Sequence, residues 1–224
     1  MKKIKRAFTL AEGRLHSKTG FFQAFTLAEV LITLGIIGIV AALTMPSLIQ
    51  NYKKKVISTR LKKFVSIMNQ IIYDETYNNG DMSTWELPAE YSNVQPQEVF
   101  FDKYFAGHFT NIIKREKPDK NLVVYFSDGT SVRVNTGDCT LFSFDINSEK
   151  NLPNVLGRDQ FGFLFCGSRR RLQYCLDKDR VFCTYPRFNS YEEAKTSCKT
   201  GGSACTFVLE WNNWEFPNDY PVKL

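Results

Sequence analysis

A run of nineteen residues, Phe25 to Leu43, reads FTLAEVLITLGIIGIVAAL and holds a single charge, Glu29. As a helix rising 1.5 Å per residue it would extend about 28 Å, close to the thickness of a bilayer's hydrocarbon core. Eleven of the nineteen are Leu, Ile, Val or Phe, each favouring insertion by ~0.3–0.6 kcal/mol at the helix centre, against ~2.5–3.5 kcal/mol for a central acid. Glu29 lies near one end, where its cost falls, so the segment is expected to insert despite its charge. It is too long for the apolar core of a secretory signal, and no A-x-A site follows it. Met45-Pro46-Ser47 and Tyr52-Lys53-Lys54-Lys55 come next instead. A plain single-pass anchor would leave the intramembrane acid without a role, whereas such an acid ordinarily has a partner.

Charge and cysteine placement narrow the rest. The net charge is +6, yet residues 1–24 hold six Lys/Arg against one acid, Glu12, and so carry most of it. Beyond them the balance is close to neutral, and total charge gives no support to a phosphate-binding surface. Six Lys/Arg precede the apolar run and six follow it closely (Lys53, Lys54, Lys55, Arg60, Lys62, Lys63), so the positive-inside rule ties. The cysteines break the tie. Cys139, Cys166, Cys175, Cys183, Cys198 and Cys205 all lie C-terminal to the run, and an even number in one folded region points to disulfides on the exported, oxidising side. A zinc site would want paired C-x2-C spacing, which is absent. Connectivity stays open, with Cys198–Cys205 the best local pair because Lys199 to Ala204 can turn back tightly. A loop that short would contribute roughly 2–3 kcal/mol in the chain-entropy model.

Gln23-Ala24-Phe25-Thr26-Leu27-Ala28-Glu29-Val30-Leu31-Ile32-Thr33-Leu34, after a short basic leader, resembles the processing motif of type IV prepilins and type II secretion pseudopilins. The resemblance covers about thirty residues. It implies a membrane prepilin peptidase that cuts between Ala24 and Phe25 and N-methylates the new amine of Phe25, leaving Glu29 fifth in the mature chain. Ala24 stands where the family usually has glycine, and Pro46 matches a proline common in pilin helices. The implied partners are that peptidase, other pilin or pseudopilin subunits and an inner-membrane assembly platform. The implied location is a bacterial inner membrane, single-pass, with the head in the periplasm or outside. Glu29 and Pro46 become assembly residues: the Glu29 carboxylate would pair with the Phe25 amine of a neighbouring subunit, because any other register strands a charge in an apolar core. Ala7-Phe8-Thr9-Leu10-Ala11-Glu12 duplicates Ala24 to Glu29, but runs into Gly13-Arg14, which cannot enter a membrane. A cut at Gly20-Phe21 would place Phe25, not Glu29, fifth.

The expected organisation is a leader at 1–24, a long helix at 25–77 with its membrane segment at 25–45, and a disulfide-containing head at 78–224. Ile57, Leu61, Phe64, Met68 and Ile71/Ile72 recur every three to four residues and give the second half of the helix one apolar face. Pro46 is expected to kink it, and Asn78-Asn79-Gly80-Asp81 to end it. A short helix is expected near Gln97–Phe105. Leu122–Phe126 and Thr130–Val134 around Ser127-Asp128-Gly129 read as a hairpin, with further strands at Cys139–Ile146 and Gln160–Cys166. The tail from Cys205 reads as a last aromatic strand. The fold class is α+β: a long N-terminal helix packed on an antiparallel, pilin-like sheet.

Asp145, Asn147 and Asp159 lie in a loop that resembles the calcium-binding head loop of some pseudopilins. The EF-hand pattern is absent, and the bottom-up reading is turn formation by Asx side chains. A loss of thermal stability on chelation would mark the metal reading. Arg169-Arg170-Arg171, with Tyr174 and Tyr185 nearby, read as a solvated loop before they read as a nucleic-acid contact. Trp211, Trp214, Phe216 and Tyr220 read as core or edge packing before a contact patch. His108 is the single histidine beyond the apolar run, its context offers no nucleophile–base pair, and no catalysis is expected. Two classes of function fit: a structural subunit of a pilus or pseudopilus, and a minor pilin-like tip protein that binds a surface, DNA or an export substrate.

Overall fold

The computed structural model describes residues 26–86, 94–137, 139–167, 171–176, 180–202 and 204–224. The chain divides into two compact units, one up to Pro46 and one from Ser47 to Leu224, so the amphipathic half of the long helix belongs to the head. That helix, α1 (Leu27–Asn79), has 53 residues and carries Pro46 inside it without ending there. Gly80, at φ 79°, follows its last turn, a backbone region that glycine enters at little cost.

The head's sheet is a six-stranded antiparallel meander. Its strands β1 (Ile112–Glu116), β2 (Leu122–Phe126), β3 (Ser131–Thr136), β4 (Thr140–Asp145), β5 (Gln160–Phe165) and β6 (Phe182–Thr184) lie side by side in chain order. The β2–β3 hairpin forms as the sequence indicates, with Gly129 at φ 81° in its turn. Alternation of side chains then sorts the faces. Register places Val124, Val132, Phe144 and Phe161 in one cross-strand row, and Leu122, Val134, Phe142 and Phe163 in the next. These rows face α1, whose Ile57, Leu61, Phe64, Met68, Ile71 and Ile72 are all buried. Phe64 stacks on Phe144 at 4.3 Å and lies 5.2 Å from Phe163.

Short helices close the rest of the head. In α2 (Val94–Tyr104), Phe100, Phe101 and Tyr104 extend the same core, and the buried Gln97 side chain accepts the Leu122 N–H at 3.1 Å. On the opposite face of the sheet a small cluster gathers Cys139, Leu164, Cys166, Cys175 and Cys183 beside α3 (Arg171–Tyr174). Cys139 pairs with Cys166, just beyond the Thr140–Phe165 rung, and Cys175 pairs with Cys183. The expected Cys198–Cys205 pair is present and joins α4 (Tyr191–Gly201) to α5 (Cys205–Trp211).

The tail departs from expectation. Cys205 to Trp211 is helical, and no strand follows it among the described residues. Cys205 to Leu209 are buried throughout, a pattern that suits an enclosed helix as well as a strand. Gly202, in the left-handed region at φ 71°, turns the chain after α4, so that the disulfide is made within an α-hairpin and the segment packs on the sheet as a helix.

Candidate functional site

Thr26 and Glu29 form a reciprocal cap at the start of α1. The Thr26 N–H and hydroxyl both donate to Glu29 Oε2 at 2.8 Å, and the Glu29 N–H donates to Thr26 Oγ1 at 3.3 Å. This is the T-x-x-E capping box, which satisfies donors that a helix start would otherwise leave open. Among the described residues these contacts use Oε2, and Oε1 accepts none. Ala24 and Phe25, the expected cleavage and methylation positions, lie outside the described residues. After Glu29 the helix presents exposed apolar side chains all round: Leu31, Ile32, Leu34, Ile36, Ile37, Ile39 and Leu43 are between 58 and 76% exposed. The segment is long and apolar enough to cross a membrane. Such a surface does not remain in water; lipid or similar helices must cover it.

In the head, the loop between β4 and β5 brings Asp145, Asn147 and Asp159 together. Asp145 Oδ1 accepts the Asn147 N–H at 3.0 Å and Oδ2 accepts the Gln160 side-chain amide at 3.1 Å. Asp159 Oδ1 accepts the Val155 N–H, and Ile146 N–H bonds to the Asp159 carbonyl. Burial, reinforced by the Asp159 charge, pushes the Asp145 carboxyl above its ordinary range in spite of those two bonds. The geometry is an Asx turn. N–H groups fill Asp145 Oδ1, Asp145 Oδ2 and Asp159 Oδ1, whereas the Asn147 side-chain oxygen is buried without a hydrogen-bond partner. Among the described residues no three His, Cys, Asp or Glu side chains come together as a metal site.

Residues 47–224 match the model of DUF6613, a family of unknown function. The chain belongs to that family. No curated protein matches it, and no solved structure does. The family match begins at Ser47 and leaves the apolar segment outside.

The remaining sequence-marked residues fall at separate places in the DUF6613 head. His108 Nε2 meets Glu75 Oε1 at 2.6 Å, tying the end of α1 to the turn at Ala106–His108. Arg169 and Arg170 lie outside the described residues. Tyr174 and Tyr185 line one shallow hollow with Leu141 and Leu164. Trp214 packs on Phe163, and Phe216 on Tyr220, whose hydroxyl donates to the Gly157 carbonyl at 2.6 Å. Trp211 stays 59% exposed. Two features escaped the sequence reading. One is the Thr26 cap, legible as T-x-x-E. The other is Glu210, which accepts from Arg180, Arg187 and the Thr184 hydroxyl at 2.7 Å each; those partners lie 23 to 30 residues before it and leave no local signature.

Proposed function

We propose that this chain is a prepilin-like structural subunit of a type II secretion pseudopilus or type IV pilus. It is held in a bacterial inner membrane, trimmed before Phe25 and assembled into a filament. The observation that carries the reading is one acid, Glu29, in the first turn of a helix that is otherwise apolar and exposed before its second half passes under an antiparallel sheet. Three disulfides in the head suit the oxidising side of that membrane.

On this reading Glu29 has two tasks. Oε2 caps its own helix, while Oε1 meets the amine that cleavage exposes on a neighbouring Phe25. Buried among apolar helices, the pair fixes the stagger of subunits, since every other register leaves both charges unpaired. Glu29→Gln separates the tasks, because glutamine also serves in a capping box but carries no charge. Membrane fractionation and filament yield are the measurements. Glu29→Gln and Glu29→Leu are both expected to insert normally and to lose most assembled filament; normal filaments from either would refute the pairing.

A tip-protein reading draws on the exposed Trp211, which with Tyr191 offers an aromatic contact. Copy number separates the two: a structural subunit vastly outnumbers a tip protein.

A further inference from the structure

Lys53, Lys54 and Lys55 are consecutive on α1. Successive residues of a helix point about 100° apart, so three in a row ring most of the helix at one level instead of facing one neighbour. Among the described residues none of the three enters an ion pair, and neither does Arg158; Lys54 and Lys55 border a hollow that also holds Glu215, whose carboxylate is taken by Lys62. No acid occurs between Ser47 and Ile57. Beside this collar, Tyr52 and Lys53 share a groove with Leu152, Pro153, Arg158 and Leu224. Leu152 is 82% exposed and Tyr52 70%. Asp159, the acid that also borders the groove, is buried and turned to the Val155 N–H.

We propose that this end of the head rests on an anionic phospholipid surface, with the lysine collar and Arg158 among headgroup phosphates and Leu152 in the interfacial layer. The inference rests on the membrane-spanning part of the reading above and not on filament assembly. A tyrosine flanked by lysines is the usual boundary of a span, the ring at the headgroups and the ammonium groups in water. Five residues separate Tyr52 from Pro46 within the helix, a rise of about 9 Å, so the collar stays close to the surface layer while the segment spans. The ring decides the occupant. A bilayer surrounds a helix on every side, whereas a second copy of the chain would touch one side and would need acids there.

The test uses the full chain, one copy per nanodisc, in discs of phosphatidylcholine alone or with phosphatidylglycerol. L152C carries a nitroxide, and mass spectrometry first checks that the three native disulfides are intact. In the anionic discs, collisions of the label with oxygen are expected to rise severalfold against those with an aqueous nickel chelate. K53E/K54E/K55E reverses the change, and each single Lys→Gln weakens the seating about fivefold. Amide exchange at residues 148–158 of the unlabelled protein slows in the same discs, independently of the label. A label equally open to water in both lipids would overturn the seat, as would protection that arises only when two copies share a disc. A chain that enters the disc with Leu152 in water keeps the span and loses the seat; a chain that does not enter loses both.

Discussion

Gly157 has no room for a methyl group. Its φ is 79°, and a Cβ there would lie 2.5 Å from Cβ of Cys205 and nearer still to its sulfur. Gly157→Ala therefore meets both backbone strain and a collision with the Cys198–Cys205 bridge, and is expected to cost about 1–3 kcal/mol or more. Urea denaturation of the oxidised protein measures this, and an unchanged midpoint would contradict it. Asp145 makes a prediction in pH. Its folded-state pKa is raised, chiefly by burial, so the stability linked to its proton is present below the ordinary aspartate value and is lost as pH climbs through the raised one. Asp145→Asn, which carries no charge, should gain on the wild type between about pH 4 and pH 7. Denaturation midpoints at the two pH values give the comparison; a gap that does not change with pH would contradict the assignment.

Elements differ in how far their own residues announce them. The buried stripe of α1 was legible because Ile57, Leu61, Phe64 and Met68 keep helical spacing, and the β2–β3 hairpin because Gly129 sits between two alternating apolar runs. Signals for α4 were also in the chain: Ser190 accepts the Glu193 N–H at 3.3 Å, and Gly202 caps the other end in the left-handed region. They are masked by Cys198 and Cys205, whose spacing by itself reads as a tight turn. By contrast β6 has three residues, too few to show a period, and exists because Leu164 and Phe165 offer it an edge. In α5 the residues Thr206, Phe207 and Val208 favour strands, and tertiary enclosure overrides that preference. Glu210 then ties α5 to β6 through Thr184, Arg180 and Arg187. Arg187 is largely buried, at 15% side-chain exposure, and lies over the Phe207 ring. Glu210→Ala strands that guanidinium and is expected to cost about 2–3 kcal/mol. Glu215→Ala breaks an exposed pair with Lys62 and a long 3.4 Å bond from the Ser58 hydroxyl, and should move the urea midpoint much less. Equal effects from the two substitutions would contradict the distinction.

At the scale of the whole molecule, one helix serves two surroundings. Up to Pro46 its side chains are mostly apolar and exposed; from Ile57 on they form the floor of a sheet whose opposite face is stapled by Cys139–Cys166 and Cys175–Cys183. The fold class was readable because each half obeys a simple rule, a nineteen-residue apolar run in one and a helical stripe in the other. The candidate site was readable only in part: Glu29 stood out as an acid in grease, while its cap needed the geometry of Thr26. The chemistry proposed for Glu29 depends on an amine that does not exist until the leader is removed. Mass spectrometry of the N-terminal peptide from the membrane-extracted protein tests this most directly. A chain beginning at Phe25, with a methylated amine, is the predicted result; a chain still beginning at Met1 would contradict it.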